Sequence, residues 1–290
     1  MNHLPHIASR MFNTPVAIHP RKAEVIVAAL ADRMGIARVA RLMEDDDHWG
    51  GTAAAMSGEG SSPNAGYDVA AGIAIIPISG TLVHKLGTVR PYSGMTGYDG
   101  IRQNLLMALA DDNVKGIMLD IDSPGGEVAG CFDLVDTIYN ARGIKPMWSM
   151  VDEMAYSAGY AIASAADRVI LPRTGGVGSI GVVVLHMDWS HAVRSAGLEV
   201  TIITYGDLKA EGNSFEKLPK EAQARIQADI NTMGELFVNT SARNRNLSPE
   251  AVRGTQAACY LGAQGVAMGL ADEVMAPDAA FLALVEACAS

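Results

Sequence analysis

GIMLDIDSPGG, residues 116–126, decides the fold class. Gly116 to Ile121 is a short, almost unbroken apolar run, and a glycine pair follows it before helical spacing begins at Glu127. A run of this length without polar alternation suits a strand covered on both faces, as in parallel sheets. The same order of events recurs on either side. Ile73 to Ile78 reads as a buried strand, and Ile101 to Ala110 as a helix. Met147 to Val151 is the next strand, followed by a helix over Tyr156 to Ala165. Val169 to Leu171, Val182 to Leu185 and Val200 to Thr204 are further expected strands. Strands alternating with helices predict βαβ units around a mostly parallel core, an α/β protein.

The remainder is largely helical. A long helix is expected from Glu221 to Asn244, and another opens at Ser248-Pro249 with Ser248 as N-cap. Gly262 to Val274 reads as helix, turn and short strand, and 278–288 as a last helix. At the other end, Ala23 to Ile36 has an amphipathic helical pattern. Residues 44–70 are acidic at first, then rich in Gly, Ser and Ala. The expected organisation is an arm and helix (1–45), a flexible linker (46–71), a main domain (72–276) and a C-terminal helix (277–290).

Composition removes several function classes. With a formal charge of −10 the chain has no basic surplus for neutralising phosphates, so nucleic acid is not expected as a partner. Cys131, Cys259 and Cys288 are far apart, without metal-ligand spacing, and read as reduced thiols. The run Glu44-Asp45-Asp46-Asp47-His48 reads as solvated charge, and no metal or other cofactor is expected. No membrane span or secretory leader is visible, which predicts a soluble, cytoplasmic protein.

The candidate chemistry rests on a hydroxyl and an amine 52 positions apart. Ser157, in Met154-Ala155-Tyr156-Ser157-Ala158-Gly159, follows one strand and opens the next helix, where backbone N–H groups favour negative charge. Alone, such a serine is a helix N-cap. Gly125-Gly126 can point N–H groups at a reacting carbonyl, or simply make a strand-to-helix turn. Lys209, in Tyr205-Gly206-Asp207-Leu208-Lys209-Ala210-Glu211-Gly212, is a surface lysine unless burial lowers its pKa enough to make it a base. Ser179, in Gly178-Ser179-Ile180-Gly181, can hold that amine by a hydrogen bond or be a turn serine. Together they form a candidate Ser-Lys hydrolase site. A histidine-based triad using His186 or His191 with Asp188 is the alternative within the same chemistry.

These motifs, in this order, resemble the signal peptide peptidase A (protease IV) family of serine proteases. Ser123-Pro124-Gly125-Gly126, Met154 to Tyr160, Gly178 to Val182 and Ala267 to Val274 carry the resemblance. Leu4 to Ser9, Pro91 to Tyr98 and Asp207 to Asn213 resemble its capsid-assembly (prohead) protease branch from lambda-type tailed phages. The likeness runs over about residues 3–276. It implies a Clp-protease/crotonase-like spiral of βαβ units with additional C-terminal helices. It implies Ser157 as nucleophile, Lys209 as general base, Ser179 as the lysine-orienting serine, and N–H groups of Gly126, Gly125 or Ala158 as the oxyanion site. It further implies a homo-oligomeric ring whose subunits share the dyad, with phage head proteins (scaffold, portal, or the chain itself) as substrates inside an assembling procapsid in the host cytoplasm. No membrane anchor is seen in this chain, which favours the capsid role. Two other readings stand beside it: a procapsid scaffolding component with a vestigial site, and an acyl-CoA enzyme on the same spiral.

Overall fold

The structure, a computed structural model, describes residues 12–31 and 65–289. The acidic run 44–48, most of the expected linker, the end of the first helix and the Leu4 to Ser9 motif lie outside the described residues.

The chain enters through a short strand, β1 (Val16–Ile18), and a helix, α1 (Pro20–Ala31). After β2 (Asp68–Ala70) come β3 (Ile73–Val83) and β4 (Met95–Gly97), then α2 (Tyr98–Ala110). The run that decides the fold is β5 (Gly116–Glu127), followed by α3 (Cys131–Asn140), β6 (Met147–Tyr156) and α4 (Ala158–Ser164). β7 (Arg168–Leu171) and β8 (Gly176–Gly178) precede a short α5 (Ser190–Ser195). The C-terminal third holds α6 (Lys220–Arg245), α7 (Pro249–Gly254), β9 (Cys259–Leu261), α8 (Ala263–Ala267), β10 (Glu273–Val274) and α9 (Pro277–Ala289).

The central strands order as β10-β7-β6-β5-β3-β2. The pairs from β10 through β3 are parallel, as the βαβ pattern predicts. Side-chain alternation sends neighbouring residues of β3 to opposite faces. Ala74, Ile76 and Ile78 join the main core with Leu105, Val135, Ile162 and Phe237 from the helices. Ile73 joins Met118, Trp148, Met150 and Ile170 on the other face, where Ala280 and Leu284 of α9 cover them. Cover on both faces is the physical reason these strands read as continuous apolar runs.

Three sequence expectations need correction. Val182–Leu185 is no strand; Val183 and Leu185 make single bridges to Val16 and Phe12. Val200–Thr204 forms no strand either, and Ile203 is 91% exposed, because among the described residues no strand pairs with it. The helix expected from Glu127 starts at Cys131, because Gly125 to Glu127 prolong β5 between Thr81-Leu82 of β3 and β1.

One face of β5 carries charge. Asp120 and Asp122 follow Met118 at alternate positions, with Asp120 beside Pro77 and Met150. Burial, then the charges of Asp152 and Asp122, pushes the Asp120 carboxyl up to about 6. A raised carboxyl pKa means that the folded chain holds the proton more tightly than the unfolded chain. The associated stability is complete below about pH 4 and is lost as pH rises through 6. Asp120→Asn is neutral at every pH. It is expected to leave stability unchanged near pH 3.5 and to raise it by about 1–3 kcal/mol at pH 8. Urea titrations at the two pH values check this; a loss at pH 8 contradicts it.

Candidate active site

Two serines at helix N-cap positions, Ser157 and Ser248, behave differently. Ser248 caps α7 in the ordinary way, its backbone extended (φ −73°, ψ 146°) and its side chain accepting the Ala251 N–H. Ser157 stands at the N-cap of α4 with φ 53° and ψ −119° and makes no side-chain cap bond. A positive φ in a residue with a Cβ is strained, and such strain gathers at functional positions. The backbone twist turns the Ser157 hydroxyl away from the helix it opens.

Neighbouring chain fixes that twist. The Ser157 N–H donates to the Gly178 carbonyl at 2.9 Å, continuing the parallel pairing of Tyr156 with Gly178. The Ser157 Oγ lies 3.4 Å from the Gly181 carbonyl. The C-terminal end of α4 is clamped by Arg142, which donates to the carbonyls of Ser164, Ala165, Ala166 and Asn244. These charge-assisted bonds satisfy carbonyls that a helix end otherwise leaves open.

The other expected residues fall in two groups. Gly125 approaches Ser157 in space, with Gly126 next to it in the chain, while Ala158 follows Ser157 directly and Ser179 follows Gly178, the partner of the Ser157 N–H. A Cβ built on Gly125 would stand 3.0 Å from Ser157 Cβ and would overlap the Ala17 carbonyl oxygen. One on Gly126 would overlap the Leu82 carbonyl. The Gly125 N–H already donates to Ser123 Oγ at 3.1 Å. Ser179 is buried, with φ 55°, and its N–H donates to the Ala258 carbonyl. Lys209 belongs to neither Ser157 nor Ser179 within one chain. It is exposed, on a turn whose Leu198, Ile203, Tyr205 and Leu208 are exposed as well. Among the described residues no hydrogen bond or ion pair holds its amine.

The histidines stand elsewhere. His186 Nδ1 is 3.0 Å from Asn13 Oδ1, His191 is exposed, and neither has a hydrogen bond to Ser157. The sequence reading passes over His19, whose ring packs on Tyr156 with centroids 5.0 Å apart. It also treats Gly178 and Gly181 only as flanks of Ser179, although their carbonyls are the partners of Ser157. The Gly178-Ser179-Ile180-Gly181 run by itself offers no sign of which carbonyl turns inward.

Comparison with known proteins places the chain in a family. The model of peptidase family S49 matches residues 140–288, which contain Ser157, Ser179 and Lys209. The chain belongs to peptidase family S49. The Clp protease model matches residues 94–175, the α2-to-β7 part of the sheet, and the chain has that α/β fold with helices added at the C-terminal end. Among S49-type relatives, the head-tail preconnector protein GP5 of Enterobacteria phage P21 is 40% identical over 94% of this chain and 55% of its own length. Capsid assembly protease C of Escherichia phage lambda is 39% identical over 95% of this chain and 64% of its own length. The chain therefore spans less than two thirds of either. A solved ClpP1 mutant from Listeria monocytogenes shares 15% identity at a TM-score of 0.45, over 70% of this chain and 92% of that one.

The crowding at Gly125 has a direct consequence. Gly125→Ala forces a side chain against Ser157 at a φ of 104° and is expected to lower peptidase turnover by about 100-fold. Gly143→Ala also places a Cβ at positive φ, but in open space, and is expected to cost about 1 kcal/mol with turnover intact. Steady-state cleavage and thermal melting of both variants check this. Full turnover in Gly125→Ala contradicts the placement.

Proposed function

We propose that this chain is a serine endopeptidase with a Ser-Lys dyad, Ser157 as nucleophile and Lys209 as base, acting on phage head proteins during capsid assembly. The observation that carries the reading is the uncapped, positive-φ Ser157 beside a glycine strand end, at the start of a fully buried helix. Membership of S49 supports the peptidase class, and the similarity to capsid assembly protease C of phage lambda supports the capsid setting. Scaffold or portal proteins are the proposed substrates.

The reaction follows from the residues. Neutral Lys209 Nζ accepts the Ser157 hydroxyl proton as Oγ attacks the scissile carbonyl carbon. The oxyanion forms near the N–H groups of Gly126 and Ala158, the Gly125 N–H being engaged by Ser123. Lys209 then protonates the leaving amine, the peptide C–N bond breaks, and an acyl-Ser157 ester remains. Water, losing a proton to Lys209, hydrolyses that ester and regenerates Ser157.

A lysine works as a base only when its charged form has been destabilised by burial. In a single chain Lys209 is exposed on an apolar turn. A second copy of the chain is the proposed cover: docking buries Leu198, Ile203 and Tyr205 and brings Lys209 to the neighbour's Ser157, with Ser179 as the hydroxyl that orients the amine. The monomer is then inactive, and assembly switches on the chemistry.

Mixing inactive variants tests both the dyad and its sharing. Ser157→Ala and Lys209→Ala are each expected to lose at least about 1000-fold in cleavage of scaffold protein. Co-assembled, they are expected to recover a substantial fraction of wild-type activity, because some sites pair an intact Ser157 with an intact Lys209. Lys209→Arg stays silent, since a guanidinium keeps its proton. No recovery on mixing refutes sharing, and activity in Ser157→Ala alone refutes the nucleophile.

A further inference from the structure

The strand that precedes the described helix α1 occupies an unusual place. β5 pairs with β6 only as far as Ser123 opposite Ala155; there β6 turns away to Tyr156 and Ser157. The edge of β5 that β6 vacates, Gly125 to Glu127, is the edge nearest Ser157. β1 fills it. Ile18, Ala17 and Val16 run antiparallel opposite Gly125, Gly126 and Glu127, and the His19 N–H donates to the Pro124 carbonyl at 2.7 Å.

The far side of β1 is closed as well. Val16 and Val183 exchange both backbone hydrogen bonds, at 3.0 and 2.9 Å, and the Asn13 N–H donates to the Leu185 carbonyl. Val183 lies two residues beyond Gly181, whose carbonyl faces Ser157 Oγ. β1 thus runs between the two backbone walls that flank the nucleophile. The Ala17 carbonyl is the group closest to the missing Cβ of Gly125, the point that also lies 3.0 Å from Ser157 Cβ. A carbonyl on an extended chain, beside a small side chain, and the Ser157 side chain thus approach the same point over Gly125.

We propose that residues 15–19 are a resident stand-in for substrate: they fill the strand-shaped groove that an extended polypeptide must enter to reach Ser157, and substrate enters by displacing them. The proposal rests on Ser157 being the nucleophile. Adding a strand to an exposed sheet edge is a general way of holding an extended peptide, with main-chain bonds supplying affinity. The groove accepts a small residue at the place of Ala17, which is buried against the core, and larger apolar residues at the places of Val16 and Ile18. Those two side chains belong to a satellite cluster with Ala23, Ile26, Val183 and Leu185 rather than to the main core. Three strand residues with a separate cluster form a unit that can leave while the sheet stays intact.

A redox lock tests the idea. Val16 and Val183 form a hydrogen-bonded antiparallel pair, whose Cα separation of about 5.5 Å is within disulfide range. In Val16→Cys/Val183→Cys the oxidised protein, with β1 fixed, is expected to cleave unfolded β-casein at least tenfold more slowly than the same protein after reduction. Wild-type protein carried through both treatments corrects for its own three cysteines. The second measurement is hydrogen exchange of Ser157→Ala protein with and without β-casein; the Val16 amide is expected to lose protection when casein binds. Equal cleavage in both redox states, or a Val16 amide that stays protected at saturating casein, overturns the proposal. A wrong nucleophile gives a different pattern: Ser157→Ala still cleaves, while the lock and the exchange response remain.

Discussion

The positive φ of Ser157 is the constraint on which the site depends. Holding a residue with a Cβ there costs about 1–3 kcal/mol, and surrounding structure must over-determine it. Here the parallel pairing of Tyr156 with Gly178 delivers the chain to that point, and the Ser157 N–H bond to the Gly178 carbonyl fixes its direction. The helix that follows is buried along its whole length and gripped by Arg142 at its far end. Strain at one residue is thus balanced by the packing of an entire βα unit. In return the hydroxyl is freed from the capping bond that Ser248 makes in the same chain.

The geometry divides the proposed machinery between what one chain completes and what it does not. Ser157 and Ser179 directly follow strands of the sheet, and the glycine pair lies within one. Lys209 sits on an exposed apolar turn, without the burial that a lysine base requires. The account then contains two separate restraints. Assembly supplies a desolvated lysine, and displacement of β1 opens the groove. In this account assembly releases the first restraint and substrate the second.

Sequence patterns carried the sheet core further than its edges. Ile73 to Ile78 and Gly116 to Ile121 are legible because both faces are covered, so no polar alternation interrupts them. Ser248-Pro249 is legible because capping is local chemistry. Val200 to Thr204 misleads for the opposite reason: its apolar, β-branched residues favour a sheet, but strand propensity measures fit to a partner surface, and among the described residues none pairs with it. β1, β8 and β9 escape notice because each is three residues long and defined by its neighbours. Of the candidate site, the residue types and their order are readable. That Gly125 stands closest to Ser157, that Gly181 faces its hydroxyl, and that Lys209 is absent from the cluster depend on long-range packing.

The most direct test of the central claim is reaction of the assembled protein with a small fluorophosphonate, which phosphonylates an activated serine without needing a strand-shaped groove, followed by peptide mapping. The account predicts one stoichiometric adduct on Ser157, and none after Lys209→Ala. An adduct on another serine, or an unmodified Ser157 in protein that cleaves its substrates, contradicts it.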